Sequence, residues 1–158
     1  MSQQPRAQTL RFQGAVNRVM RVLLRVPIVG KLPGRRLALL EIVGRRSGKH
    51  FEVPVAYTRQ GHDLLVGTPF SWGRNLRTGD VIDIVLMGTR RKADVVAYTD
   101  HDAVIEAYGA MCRDNKAFAN FNKVGISKQG EPDPADLEAA FESGARAFRL
   151  APRSPAGA

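Results

Sequence analysis

At 158 residues, with 44% hydrophobic and 25% charged residues, the chain has the composition of one soluble globular domain, large enough to bury a core without cross-links. A single cysteine, Cys112, excludes an intrachain disulfide framework and fits a reducing cytoplasm, and no apolar run reads as a membrane span or a secretory signal. The net charge of +9 is uneven: residues 1–92 hold 17 Lys/Arg against 5 Asp/Glu and the remainder 7 against 10, so the basic surface belongs to the first half and suits an anionic partner.

Residues 1–36 read as a polar tail followed by an amphipathic helix. Across Leu10–Val26, Phe12, Val16, Val19, Met20 and Leu23 keep the spacing of one apolar face, while Arg11, Arg18 and Arg25 recur every seven residues with Arg21 between them. Pro27 stops the helix, and Gly30, Pro33 and Gly34 mark a loop. Residues 37–150 read as one domain. Leu37–Val43 and Phe51–Thr58 predict an antiparallel hairpin around Gly44–Lys49; Gln60-Gly61-His62 predicts the next turn and Asp63–Thr68 a third strand. The segment PFSWGRNLRTGD predicts a loop with one helical turn around Trp72–Arg77, and Val81–Met87 with Arg91–Tyr98 a second hairpin across Gly88-Thr89. Thr99 or Asp100 is the expected cap of a helix carrying Val104, Ala107, Tyr108 and Met111. Phe118 and Phe121 mark a second short helix, and Asp133 with Pro134 opens a third that runs through Phe141. ARAFRL predicts a closing strand, and residues 151–158 a disordered tail. Strands joined by short turns, with no helices between them, predict a mainly β, antiparallel barrel or sandwich with flanking helices.

The first turn is chemically loaded. Arg45, Arg46 and Lys49 crowd into six residues whose glycines alone would make the bend. The spacing is not a P-loop: three residues separate Gly44 from Gly48, His50 follows Lys49, and the context is strand–turn–strand. The ingredients still suit an anion, with glycine-exposed amides, the Ser47 hydroxyl and three charge-assisted donors. A solvated turn whose cations aid solubility accounts for the same residues. In GTPFSWGRNLRTGD the single tryptophan, Trp72, stands among Gly67, Pro69, Gly73, Arg74 and Asn75. It suits either a core plug or a wall over a planar ligand, with Arg74 and Asn75 placed for polar contacts.

Taken together, GRRSGK, the strand HFEVPV with its proline, and WGRNLRTGD followed by VIDIV resemble the deazaflavin-dependent nitroreductase and quinone reductase family, best over residues 37–98. The resemblance implies a split β-barrel of the FMN-binding type that binds the deazaflavin coenzyme F-420, with FMN as the alternative. By position it implies that Gly44, Arg45, Arg46, Ser47, Gly48 and Lys49 grip the coenzyme's phosphate and glutamyl tail. Gly67, Thr68, Pro69, Trp72, Arg74 and Asn75 become the wall near its ring system, and Pro54 completes the set. The implied activity is an oxidoreductase that passes hydride to a quinone, a nitro compound or an activated alkene. The coenzyme carries the hydride, so binding and orientation are the protein's main contribution. No acid–base residue is demanded, and Tyr57 and Ser71 are candidates to touch the acceptor. A non-catalytic protein holding a flavin-like or lipid ligand on the same barrel is the alternative, and a homodimer is compatible with the barrel type.

The remaining features are less specific. His50, His62 and His101 lack metal-ligand spacing, so no metal is expected. Cys112, among apolar neighbours, reads as core. Gly88–Lys92 reads as a solvated turn, with extension of the tail-binding surface as the other option. Aromatic residues do not interleave with the basic ones, which argues against nucleic acid. Residues 10–26 suit packing against the barrel or peripheral contact with an anionic membrane, so the expected location is cytoplasmic with membrane association left open.

Overall fold

In the computed structural model the described residues are 36–154; the expected helix over 10–26, its following loop and the end of the tail lie outside them. Seven antiparallel strands form one sheet in the order β2-β1-β5-β6-β7-β4-β3. They are β1 (Leu37–Val43), β2 (His50–Ala56), β3 (Thr58–Gln60), β4 (Asp63–Thr68), β5 (Val81–Leu86), β6 (Thr89–Tyr98) and β7 (Arg146–Pro152). The two edge strands, β2 and β3, are consecutive in the chain with only Tyr57 between them. A flat sheet cannot satisfy that link, because five strands lie between its edges. The sheet therefore curls until the edges meet, giving a barrel joined covalently at Tyr57 and split there for hydrogen bonding. The expected antiparallel split barrel with flanking helices is the fold observed.

Alternation of side chains assigns the two faces. Leu40, Ile42, Val53, Val55, Leu64, Val66, Ile84, Leu86, Val95, Phe148 and Leu150 fill the barrel interior. Leu65 and Ala147 face outward, where helices α1 (His101–Asp114), α2 (Lys116–Phe121) and α3 (Pro134–Glu142) cover them in a second core with Val104, Tyr108, Met111 and Leu137. Helix starts follow the expected chemistry: Asp100 accepts from the Ala103 amide, and Asp133 caps α3 with Pro134 in its first turn.

Three expectations change. The run Phe51–Thr58 is not one strand, since the chain crosses from one sheet edge to the other at Tyr57, a change of partner that leaves no mark on an alternating sequence. The second hairpin turns at Met87-Gly88, not Gly88-Thr89: both residues have positive φ (50° and 81°), as a two-residue primed turn requires, and Leu86 pairs with Thr89. The tail does not begin at 151. β7 runs through Pro152, and Arg153 makes a forked ion pair with Asp94 at 2.7 and 2.9 Å.

Candidate functional site

Antiparallel pairing sorts the loops between the two barrel ends. The turn Gly44–Lys49, the end of β4, the start of β5, the end of β6 and the start of β7 share one end. Tyr57, the Gly61–His62 turn and the Met87–Gly88 turn lie at the other, one strand length or about 20 Å away. This separates the predicted residues. Tyr57 is 4% exposed at the far end, its amide donating to the Arg36 carbonyl, so it lies away from the turn. Its aromatic signal was that of a core plug. Of the Gly88–Lys92 cations, Arg90 is bonded to Glu41 and Lys92 to Asp83, level with the middle of β1 and β5.

The turn itself is built tightly. The Gly44 amide donates to Lys49 O at 2.9 Å and the Gly48 amide to Gly44 O at 2.8 Å. Gly48 sits at φ +66°, where a side chain is strained, and a Cβ on Gly44 would lie 2.6 Å from Ser47 Oγ, which accepts from the Lys49 amide. That leaves the Arg46 and Ser47 amides with no acceptor among the described residues, and the Arg46 and Lys49 side chains exposed with no ion-pair partner there. Two adjacent amides and two cations without partners among the described residues give this turn the donors that an anion would need.

The second predicted segment lies against this turn. Ser71–Asn75 forms a 3-10 turn, and Asn75 is its junction with the hairpin. Asn75 Oδ1 accepts from the Arg45 amide and Asn75 O from Arg45 Nε, both at 3.1 Å, while Asn75 Nδ2 donates to Trp72 O at 3.1 Å. The indole is half-buried and stacks on Phe148 of β7, with centroids 6.3 Å apart and planes at 24°. Thr68 is buried, its hydroxyl accepting from the Phe70 amide at 3.0 Å, and Gly73 packs flat on it. Pro69, Ser71 and Arg74 are exposed at the same end, and Arg74 has no ion-pair partner among the described residues. Two members of the expected set face elsewhere. Gly67 points outward, where a Cβ would meet Met111 Cε and Tyr108 Cε1 at 2.8 Å, so its smallness serves helix packing. Pro54, paired with Leu39 on edge strand β2, lies on the outer face, where an edge tolerates a missing donor.

Two further residues at this end are not legible in the sequence. Asp80 Oδ2 holds Arg45 Nη2 at 2.7 Å, a pairing across 35 positions that no local pattern announces. Phe121, 63% exposed at the end of α2, meets Phe70 edge-on at 5.9 Å, and its periodicity suggested only a helix face.

The model of the F420H(2)-dependent quinone reductase family matches residues 12–124. Among solved structures, a pyridoxamine 5'-phosphate oxidase-related, FMN-binding protein from Nostoc punctiforme PCC 73102 is similar over 96% of this chain and 83% of that chain, at 16% identity and a TM-score of 0.48. No curated protein matches.

Proposed function

The chain belongs to the F420H(2)-dependent quinone reductase family, an oxidoreductase family, and on that premise we propose that the Gly44–Lys49 turn and the Thr68–Asn75 segment hold the reduced deazaflavin while a quinone receives its hydride. The observation that carries this reading is the Arg46 and Ser47 amides and the Arg46 and Lys49 side chains, all without partners among the described residues, in a turn bonded through Arg45 and Asn75 to the Trp72 segment. Those donors fit a phosphate or carboxylate, and the adjacent half-buried indole fits the edge of a planar ring system. When bound, the reduced coenzyme supplies the hydride.

The chain's own residues then bind and orient. Lys49, Arg46 and Arg74 neutralise the anionic end, each without a described carboxylate to compete for it. Trp72, backed by Phe148, bounds the ring position. Phe70 and the exposed Phe121 offer the acceptor an apolar approach at the same end of the barrel, and Ser71 stands where a hydroxyl could donate to an acceptor oxygen. This apolar approach favours a quinone over a nitro compound or activated alkene, which are the alternatives.

Titration of the purified protein with F-420 and with FMN, followed by oxidation of F420H2 in the presence of menadione or a nitroaromatic, tests the reading. Saturable deazaflavin binding with menadione turnover is expected. Tight binding with no turnover of any acceptor would favour a sequestering protein, and no binding would refute the site.

A further inference from the structure

Asp80 is out of place in a site built for an anion. Its carboxylate is paired with Arg45 beside the turn, where it would repel a bound anion. Its contacts explain its presence. Oδ2 accepts from Arg45 Nη2 at 2.7 Å and from the Arg77 amide at 2.8 Å. The backbone of Asp80 is pinned on both sides: its amide donates to Arg77 O at 3.0 Å, and its carbonyl accepts from the Val95 amide, on β6, at 2.9 Å. Arg45 is thereby fixed at three points, two on Asn75 and one on Asp80, and its side chain is still 36% exposed. A continuous line of bonds runs from strand β6 through Asp80 and Arg45 to the hairpin turn, and through Asn75 to the carbonyl of Trp72.

Resting on the coenzyme reading above, we propose that Asp80 is a positioning residue: through Arg45 it holds the turn, and with it Arg46 and Lys49, at a fixed distance from the Trp72 wall. Arg45 is the strut of the site, while the anion is met by Arg46, Lys49 and the Arg46 and Ser47 amides. The geometry of a guanidinium suits this role, since its fork reaches the Asn75 carbonyl and the Asp80 carboxylate together, which a single ammonium cannot do.

The two roles open to Asp80 predict opposite signs. As a mere neighbouring charge, its removal in Asp80→Asn would strengthen the binding of a polyanionic coenzyme. As the anchor of the strut, its removal weakens deazaflavin binding about tenfold, the scale of one lost charge-assisted hydrogen bond. Asp80→Glu, which keeps the charge and the acceptor, recovers part of that loss. Arg45→Lys gives a second route should Asp80→Asn fail to fold: a strut loses affinity on this change, whereas a simple charge contact with the anion keeps it. Hydrogen exchange in the coenzyme-free protein supplies a readout independent of activity, with the Arg45 amide exchanging faster in Asp80→Asn than in the wild type. Unchanged or tighter binding by Asp80→Asn, full affinity in Arg45→Lys, or unaltered exchange at Arg45 each overturns the proposal and leaves the coenzyme reading standing. Wild-type protein that binds no deazaflavin overturns both, and that result is seen before any substitution is made.

Discussion

Replacing Gly73 with alanine asks whether the Trp72 segment must lie flat on the barrel end. The added Cβ would stand 2.8 Å from Thr68 Cγ2 and 3.3 Å from Phe148 Cζ, against about 3.4 Å for an ordinary contact, so about 0.6 Å must be found on the Thr68 side. Thr68 cannot turn away, being β-branched, buried on its strand and holding the Phe70 amide through its hydroxyl. Phe148 is fully buried. The 3-10 turn is the part free to move, and lifting it loosens the Trp72–Phe148 stack. Overpacking of this kind costs about 1–3 kcal/mol, which in a chain of this size lowers Tm by about 2–12 °C. Calorimetry gives the Tm, and emission from Trp72, the only tryptophan, reports the stack. Deazaflavin titration then measures the expected weakening. A Tm within about 1 °C of wild type with unchanged emission and affinity would falsify the close-packing argument.

Lys49→Ala is expected to weaken deazaflavin binding by about 1–3 kcal/mol, and Arg46→Ala similarly, the scale of a lost charge-assisted contact; equal affinity in both variants by titration would move the anion elsewhere. Phe121→Ser should raise the KM for menadione while leaving coenzyme affinity near wild type, and the reverse pattern in steady-state kinetics would contradict its assignment to the acceptor side. Hydrogen bonds to Asp102, then Glu138, hold the His101 imidazolium and raise its pKa above 6.5, so its contribution is fully present below that pH and fades as pH rises through the folded value. The Tm gap between wild type and His101→Asn should therefore narrow from pH 5 to pH 9, and a gap that is constant or widens contradicts the assignment. Burial pushes the Cys112 thiol up to about 11, so a disulfide reagent at pH 8 should label it only after unfolding; rapid labelling of native protein would show that the helix layer is open.

Most of the fold was legible because its signals are local. β1 and β4 follow from runs of apolar residues between glycine-marked turns, and Asp133-Pro134 announces a helix start by its own chemistry. The break at Tyr57 was invisible, since strand alternation continues while the hydrogen-bonding partner changes. Half of the candidate site was similarly readable. Glycines, cations and the lone tryptophan marked both segments, yet nothing in the sequence says that Arg45 reaches Asn75 and Asp80 across 30 and 35 positions. Gly67 shows the opposite failure: a glycine beside a ligand and a glycine beneath Tyr108 and Met111 look alike until the strand's face is known.

The strand order carries a consequence for synthesis. β7 sits between β6 and β4, bonded to both, yet it is the last described strand to leave the ribosome. Until Arg146–Pro152 emerge, the nascent chain holds a four-stranded piece and a two-stranded piece with unsatisfied edges facing each other. Completion of the barrel is therefore delayed until nearly the whole described chain is free, and those exposed edges are the surfaces through which ribosome-bound copies would associate.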